Sequence, residues 1–287
     1  MSSKYITLKM IFGDVAIEIS KNSVYRLLAG GLTGVEAAEY LVSLDENALL
    51  DGAYITSEKL SPRNIGSNFC VTDRKNSEIY RHYLISAINP KKAGTLIIER
   101  SGISRKIDFR VNGAPTFTQN NIFTDRLHVS LNLICPDPWF CDVQQTDLDM
   151  AEVTPLLTFP FNSVKGVGIS SGVLWQSEEM EINNTGDGPI GAIIKIIANG
   201  PIENPYVECN GKYIKAIYTM KTNDVMEFST IERKKGIRIN GKSMVNYDRK
   251  SVFFELPVGK STLKIGAKSG SGNATTKIKY SLRYLGV

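Results

Sequence analysis

The residues Gly236-Ile237-Arg238-Ile239-Asn240-Gly241-Lys242-Ser243 satisfy the GxxxxGK[ST] pattern of a phosphate-binding loop letter for letter. That chemistry needs a buried strand leading into a flexible turn whose N–H groups face the phosphates, and a helix that starts at the lysine. The neighbouring residues point elsewhere. Ile237 and Ile239 alternate inside the would-be loop, Asn240-Gly241 is a strong two-residue hairpin turn, and Met244 and Val245 continue as strand. The stretch reads as a hairpin that happens to spell a nucleotide motif.

Other reactive side chains assemble no better. A nucleophilic triad needs a base beside its nucleophile. Neither of the two histidines has a local signature: His128 falls on the polar face of an alternating strand, and His82 on a helix among tyrosines. Carboxylates cluster at Asp45, Glu46 and Asp51 and again at Asp147, Asp149 and Glu152, but in loop-like segments that fix no acid–base geometry. The four cysteines, Cys70, Cys135, Cys141 and Cys209, form no CxxC pair, and with only two histidines no zinc spacing can be built. They read as reduced thiols, mostly buried. Trp175 could stack on a sugar, although a large aromatic more often belongs to a core. The sequons at Asn183 and Asn273 matter only on a secretory route. No catalytic, cofactor-binding or metal-binding residue is assigned, and no cofactor is expected.

Bulk properties narrow the class. The chain has 287 residues, 42% of them hydrophobic and 22% charged, which suits two globular domains with real cores. A net charge of +5 is spread along the chain, and the longest basic cluster, Arg233-Lys234-Lys235, reads as a solvated face and not as a nucleic-acid site. Even the apolar run from Ile193 to Ala198 carries Lys195, so no membrane insertion is expected. At the N-terminus the apolar stretch after Lys4 and Lys9 is interrupted by Asp14 before any cleavage site, so no signal peptide is read and assembly in the cytoplasm is expected.

Periodicity supplies the scaffold. Ile6, Leu8 and Met10, then Val15, Ile17 and Ile19 after Gly13-Asp14, predict a strand, turn and strand. Val35 to Leu50 stays open, because Glu36-Ala37-Ala38-Glu39 favours helix while Tyr40, Val42 and Leu44 alternate as a strand. One helix is clear, capped at Asn76 or Ser77, with a broad apolar stripe of Ile79, Tyr80, Tyr83, Leu84, Ala87 and Ile88 ending at Asn89-Pro90. Alternating strands follow at Thr95 to Glu99, Ile107 to Val111 and Leu127 to Leu133. The prolines and acidic residues between Pro136 and Pro160 mark a boundary. Beyond it come short strands divided by Gly, Asn and Asp, ending in the alternation of Ile278, Tyr280, Leu282 and Tyr284, which indicates a β-sandwich or jelly roll. The expected class is mostly β: a sandwich or barrel-like domain with one helix over residues 1–142, a linker over 143–160, and a β-sandwich over 161–287.

Several segments in this order resemble the distal tail protein family of siphovirus-type phages and phage-tail-like particles. The most specific is Leu131-Asn-Leu-Ile-Cys-Pro-Asp-Pro-Trp139-Phe140, an alternating strand running into a [DP]-P-[FWY]-[FWY] ending. Upstream, Asp51-Gly52, Ser61-Pro62-Arg63-Asn64-Ile65, the helix with Asn89-Pro90, Gly94-Thr95-Leu96 and Asn112-Gly113 are similar to the family's landmarks over residues 1–142. Asn204-Pro205-Tyr206-Val207, Asn210-Gly211, Asp224 and Leu256-Pro257-Val258-Gly259 resemble turns of its second, galectin-like domain. The galectin H-x-N-x-R pattern is absent, since no histidine follows His128, although Trp175-Gln-Ser-Glu178 fits W-x-x-E. The resemblance implies a non-enzymatic hub at the virion tail tip or baseplate. Its homohexameric ring would join the tail tube protein to the tail-associated hub protein and to a receptor-binding protein, with ring contacts in the first domain. The alternative is a carbohydrate-binding accessory module that recognises cell-surface polysaccharide. If the Lys242 motif is a hairpin, ATP leaves the melting temperature unchanged in a thermal-shift assay, and a nucleotide-dependent rise would restore the nucleotide reading.

Overall fold

The computed structural model describes residues 6–46, 51–119, 126–143, 146–149, 151–154, 173–176 and 179–287; for 147–149, 151–154 and 173–176 it describes the backbone alone. The chain forms two compact units, residues 1–143 with 283–287, and residues 144–282.

The first unit is built on strands in chain order: β1 (Thr7–Phe12), β2 (Val15–Ile19), β3 (Tyr25–Thr33), β4 (Tyr40–Glu46), β5 (Ala53–Leu60), β6 (Arg63–Val71), β7 (Gly94–Arg100), β8 (Ile103–Val111), β9 (Thr116–Thr118), β10 (Leu127–Cys135) and β11 (Phe140–Asp142), with α1 (Ser77–Ala87) between β6 and β7. Strands β8, β7, β1, β2, β3, β6 and β10 pair in that order, and β10 returns to β8 through Leu133↔Val111, closing a seven-stranded barrel. Closure removes the free edges that an open sheet would present to other chains. Alternation decides what lies inside. Along β10, Leu127, Val129, Leu131, Leu133 and Cys135 are buried while His128 and Asn132 face solvent. The interior is filled by rings in edge-to-face contact, Phe12 with Phe109 at 5.3 Å and Tyr25 with Phe69 at 5.9 Å. Burial also pushes the Tyr25 phenol up to about 12. Helix α1 covers this core with Leu84, Ala87 and Ile88, and Tyr80 meets Tyr25 edge-on. Asn76 occupies its N-cap without a side-chain cap; Asp73 instead accepts the Lys75 and Asn76 backbone N–H groups just upstream.

The second unit holds β12 (Thr146–Asp149), β13 (Ala151–Thr154), β14 (Val173–Gln176), β15 (Glu179–Asn184), β16 (Ala192–Ala198), β17 (Ile202–Glu203), β18 (Tyr206–Cys209), β19 (Lys212–Lys215), β20 (Thr219–Met220), β21 (Val225–Ser229), β22 (Gly236–Ile239), β23 (Lys242–Met244), β24 (Gly259–Gly266) and β25 (Ala274–Tyr280). A six-stranded sheet, β12-β25-β16-β21-β22-β23, and a four-stranded one, β15-β24-β18-β19, share one core containing Ile194, Ile278, Met226 and Phe228 with Val207, Leu263 and Ile182. This is a β-sandwich. Thr146 to Asp149, inside the stretch expected as linker, is a strand paired with β25. The alternation of Val252 and Phe254 suggests another of the short strands, but this stretch is irregular chain that covers an edge: Val252 N–H donates to Tyr213 O, Asp248 N–H to Lys215 O, and Ile217 N–H to Asn246 O. Asp248 holds that cover in place, accepting the Lys250 N–H and the Tyr213 hydroxyl, and these two bonds keep its carboxyl below the usual range. Asp224 is lowered in the same way by the Lys221 N–H and by Asn240, and Glu203 chiefly by Lys268.

The alternation from Ile278 to Tyr284 is not one strand. It breaks after Tyr280, and the chain returns to the first unit as β26 (Arg283–Tyr284), pairing Phe140↔Tyr284 and Cys141↔Arg283. The return is pinned by arginines. Arg63, 3% exposed, donates from Nε to Pro138 O at 3.0 Å, and from its two terminal nitrogens to Gly34 O at 2.8 Å and Leu285 O at 2.5 Å. Its guanidinium also lies 4.8 Å from the Phe140 ring centre. Burial lowers its pKa, and the Glu36 carboxylate opposes that shift. The neighbouring Cys135 thiol is pushed up to about 12 by burial, so it is uncharged beside the cation. Arg105 stacks on Tyr284 at 3.6 Å and donates to Gly286 O, and Val287 N–H donates to Val35 O.

Two predictions follow from these bonds. Arg63→Met leaves three carbonyls without their donor and destabilises the first unit by roughly 3 kcal/mol. Arg63→Lys does not restore it, because an ammonium cannot present a planar fork to three acceptors; a lysine variant melting like the native chain would refute this. The second concerns acid. Asp224, Asp248 and Glu203 have folded pKa values below their unfolded ones, so their contribution is complete above about pH 5 and is lost as pH falls through the unfolded and then the folded values. Melting followed by circular dichroism is therefore expected to be flat in these terms from pH 7 to about 5, with acid loss shifted to lower pH in Asp248→Asn.

Candidate assembly interface

Strands β4 and β5 pair with each other and with no strand of the barrel. They make a hairpin arm rooted where Ser61 N–H donates to Glu39 O at 2.9 Å, with Arg63 two residues beyond. The register runs Tyr40↔Leu60, Leu41↔Lys59, Val42↔Glu58 and Ser43↔Ser57, then skips Thr56, so that Ile55 stands opposite Leu44. The skipped residue is a β-bulge, and Thr56 Oγ1 donates to Ser43 O at 3.1 Å. Its effect is to bring Ile55 onto the face that already carries Tyr40, Val42, Leu44 and Leu60. The arm thus has one apolar face, and that face is in solvent: Leu44 is 60% and Ile55 63% exposed. Two charged side chains stand opposite apolar ones on this face, Glu58 across from Val42 and Glu46 across from Ala53 at the far end; Glu58 accepts the Tyr40 hydroxyl and raises that phenol's pKa. This is the segment whose sequence favoured helix and strand equally. Strand prevails from Tyr40, and Glu36 to Glu39 form no helix.

Helix α1 is the second exposed apolar surface. The stripe read from sequence is wider than the part that packs: Tyr80, Leu84, Ala87 and Ile88 turn to the core, while Ile79 and Tyr83, one turn apart, stay in solvent, as does Ile85 farther round the helix. Arg81 is exposed as well, about half a turn round the helix from Ile79 and Tyr83, its guanidinium 5.8 Å from the Phe117 ring centre on β9.

The residues nominated for chemistry are not brought together. Gly236–Ile239 and Lys242–Met244 are paired strands, with Asn240 and Gly241 at φ of 47° and 80° between them, so the phosphate-loop letters form a two-residue hairpin turn and no helix starts at Lys242. Asn240 is held by its side chain, which donates to Asp224 and accepts from Val225 N–H. His82 and His128 are exposed on different elements, and Asp45, Glu46 and Asp51 lie on or beside the arm. Among the described residues no group of three or more His, Cys, Asp or Glu side chains could hold a metal, and no helix is long and apolar enough to cross a membrane. The four cysteines are free, with Cys70, Cys135 and Cys209 buried. Asp147, Asp149, Glu152 and Trp175 sit on β12, β13 and β14, where only the backbone is described, and Glu178 lies outside the described residues. Sequence reading missed both the solvent-facing arm and the buried role of Arg63. The signals present were the Tyr40, Val42, Leu44 alternation and a lone arginine opening an apolar strand.

The family model described as siphovirus-type tail component, C-terminal domain, matches residues 185–284. No curated protein matches the chain. Among solved structures, the Dit protein of phage SPP1, described as a paradigm of the hub adsorption apparatus in phages that infect Gram-positive bacteria, shares the fold. Its TM-score is 0.69 at 15% identity, over 97% of this chain and 99% of that one. A chain of the phage P2 baseplate in its activated conformation with calcium is matched at a TM-score of 0.49 and 10% identity, over 96% of this chain and 98% of that one.

Proposed function

We propose, from its resemblance to the distal tail protein family, that the chain is a structural hub of a phage tail tip or baseplate, closing into a hexameric ring between the tail tube and the tail-tip apparatus. The observation that carries this reading is the arm. A two-stranded hairpin is marginal in water when it packs on nothing, and an apolar face of this kind on a projecting element is the usual mark of a protein interface. A projecting arm on one side of a domain implies a different receiving surface, hence a heterologous contact, and such contacts close into rings when the rotation permits. The number six, the tail tube and tail-associated hub as partners, a receptor-binding protein beyond them, and assembly in the host cytoplasm come from the family resemblance. The role needs no catalysis: the residues nominated for chemistry are scattered over separate elements, whereas the two apolar surfaces of the first unit are exposed and unfilled.

Electron micrographs of the purified chain, alone or with tube and hub proteins, are expected to show six-fold rings. Val42→Asp combined with Ile55→Asp, both at solvent-facing positions, should weaken ring formation by at least about tenfold, about 1.4 kcal/mol per junction, while leaving the melting temperature within a few degrees. Rings that persist unchanged in this variant would remove the arm from the interface.

A further inference from the structure

A head-to-tail ring needs a receiving surface as well as an arm, so the next step rests on the ring reading and deepens it. We infer that the arm of one copy lies across the outer face of α1 in the next copy, with Tyr40, Val42, Leu44 and Ile55 packed on Ile79 and Tyr83.

Apolar character is the first reason. Ile79 is 66% exposed and Tyr83 45%, on a helix whose other side is already packed into the core. Within one chain neither surface covers the other, since both stay in solvent. Charge is the second. Residues 40–60 carry Asp45, Glu46, Asp51 and Glu58 against Lys59, a net −3, and all of these are exposed. Residues 73–92 carry Arg74, Lys75, Arg81, Lys91 and Lys92 against Asp73 and Glu78, a net +3, and all five cations are exposed. Opposite fields of this kind orient two copies before contact and reject arm-to-arm or helix-to-helix pairing. Reach is the third. At ~3.3 Å per residue the seven residues of β4 extend about 20 Å from the root, which is comparable with the radius of a domain of this size. The arm can therefore cross a junction and lie on its neighbour. Each copy then gives one arm and receives one, as a closed ring requires.

Two defective chains test this. In one, residues 41–59 are replaced by an Asn-Gly turn; in the other, Ile79→Asp and Tyr83→Asp disable the helix face. Analytical ultracentrifugation is expected to find each variant monomeric alone and the equimolar mixture forming a one-to-one complex and nothing larger, because only one sound arm and one sound helix face remain per pair. Added salt should weaken that complex. If the double aspartate variant loses its fold by circular dichroism, Ile79→Ser with Tyr83→Ser, at the same exposed positions, takes its place and is expected to weaken assembly by about tenfold. Rings of native size from the helix-face variant, or no complex in the mixture, overturn α1 as the receiver and leave the ring reading standing. An unaltered chain that forms no ring even with tube and hub proteins defeats the ring reading itself, and this inference with it.

Discussion

The first unit depends on a cation buried without an acid in direct contact. Arg63 satisfies its donors with the carbonyls of Gly34, Pro138 and Leu285 and lays its flat face near Phe140. A charge removed from water is costly unless every donor finds an acceptor, and here the acceptors are parts of the backbone that must come to it. The guanidinium therefore acts as a knot. It ties the chain just before the arm, the chain just before β11 and the returning segment after β26 to the first residue of β6. A lysine could satisfy one of these segments, but the geometry of three demands a planar fork.

Its consequence for assembly is rigidity at the right place. An arm whose root could swing would lose orientational freedom on docking and bind more weakly for it. Gly34 on one side and Arg63 on the other fix both strands at their base, so the apolar face projects in a set direction. Elsewhere two edges are closed off. The barrel closes on itself through β8 and β10, and in the second unit the chain from Asn246 to Val252 covers β19. Beside these closed edges the arm and the outer side of α1 are left uncovered, and uncovered apolar patches of this kind mark interaction surfaces.

Much of this was legible in the sequence. Strict alternation located β1, β2, β8 and β10, because a strand with one face in a core has no other way to distribute its residues. The Asn240-Gly241 turn overruled a nucleotide motif for the same local reason. What escaped reading was set at a distance. Arg63 looks like any outward-facing strand residue until carbonyls 29, 75 and 222 positions away are placed around it. The arm was ambiguous because its apolar face has no core behind it, and the bulge at Thr56 shifts the period partway along. The α1 stripe read as one buried face although the helix divides it between core and solvent. The run from Ile278 to Tyr284 kept one alternation while passing from one unit to the other, since Tyr280 packs in the second core and Tyr284 in the first.

That crossing makes the second unit an insertion between two neighbouring strands, β11 and β26, of the first. The seven strands that close the barrel all lie before residue 136, so the barrel can form from local and mid-range pairings before the insertion is made. The knot cannot. Its third carbonyl, the second neighbour of β11 and the Val287 bond to Val35 all come from residues that follow the whole of the second unit. Gly34 and Val35 lead directly into the arm, so the arm's root is the part of the first unit completed last. An arm that becomes rigid only when residues 283–287 are in place offers its apolar face to other copies in a fixed orientation only from chains that carry them, and a contact that depends on orientation is correspondingly weaker without them.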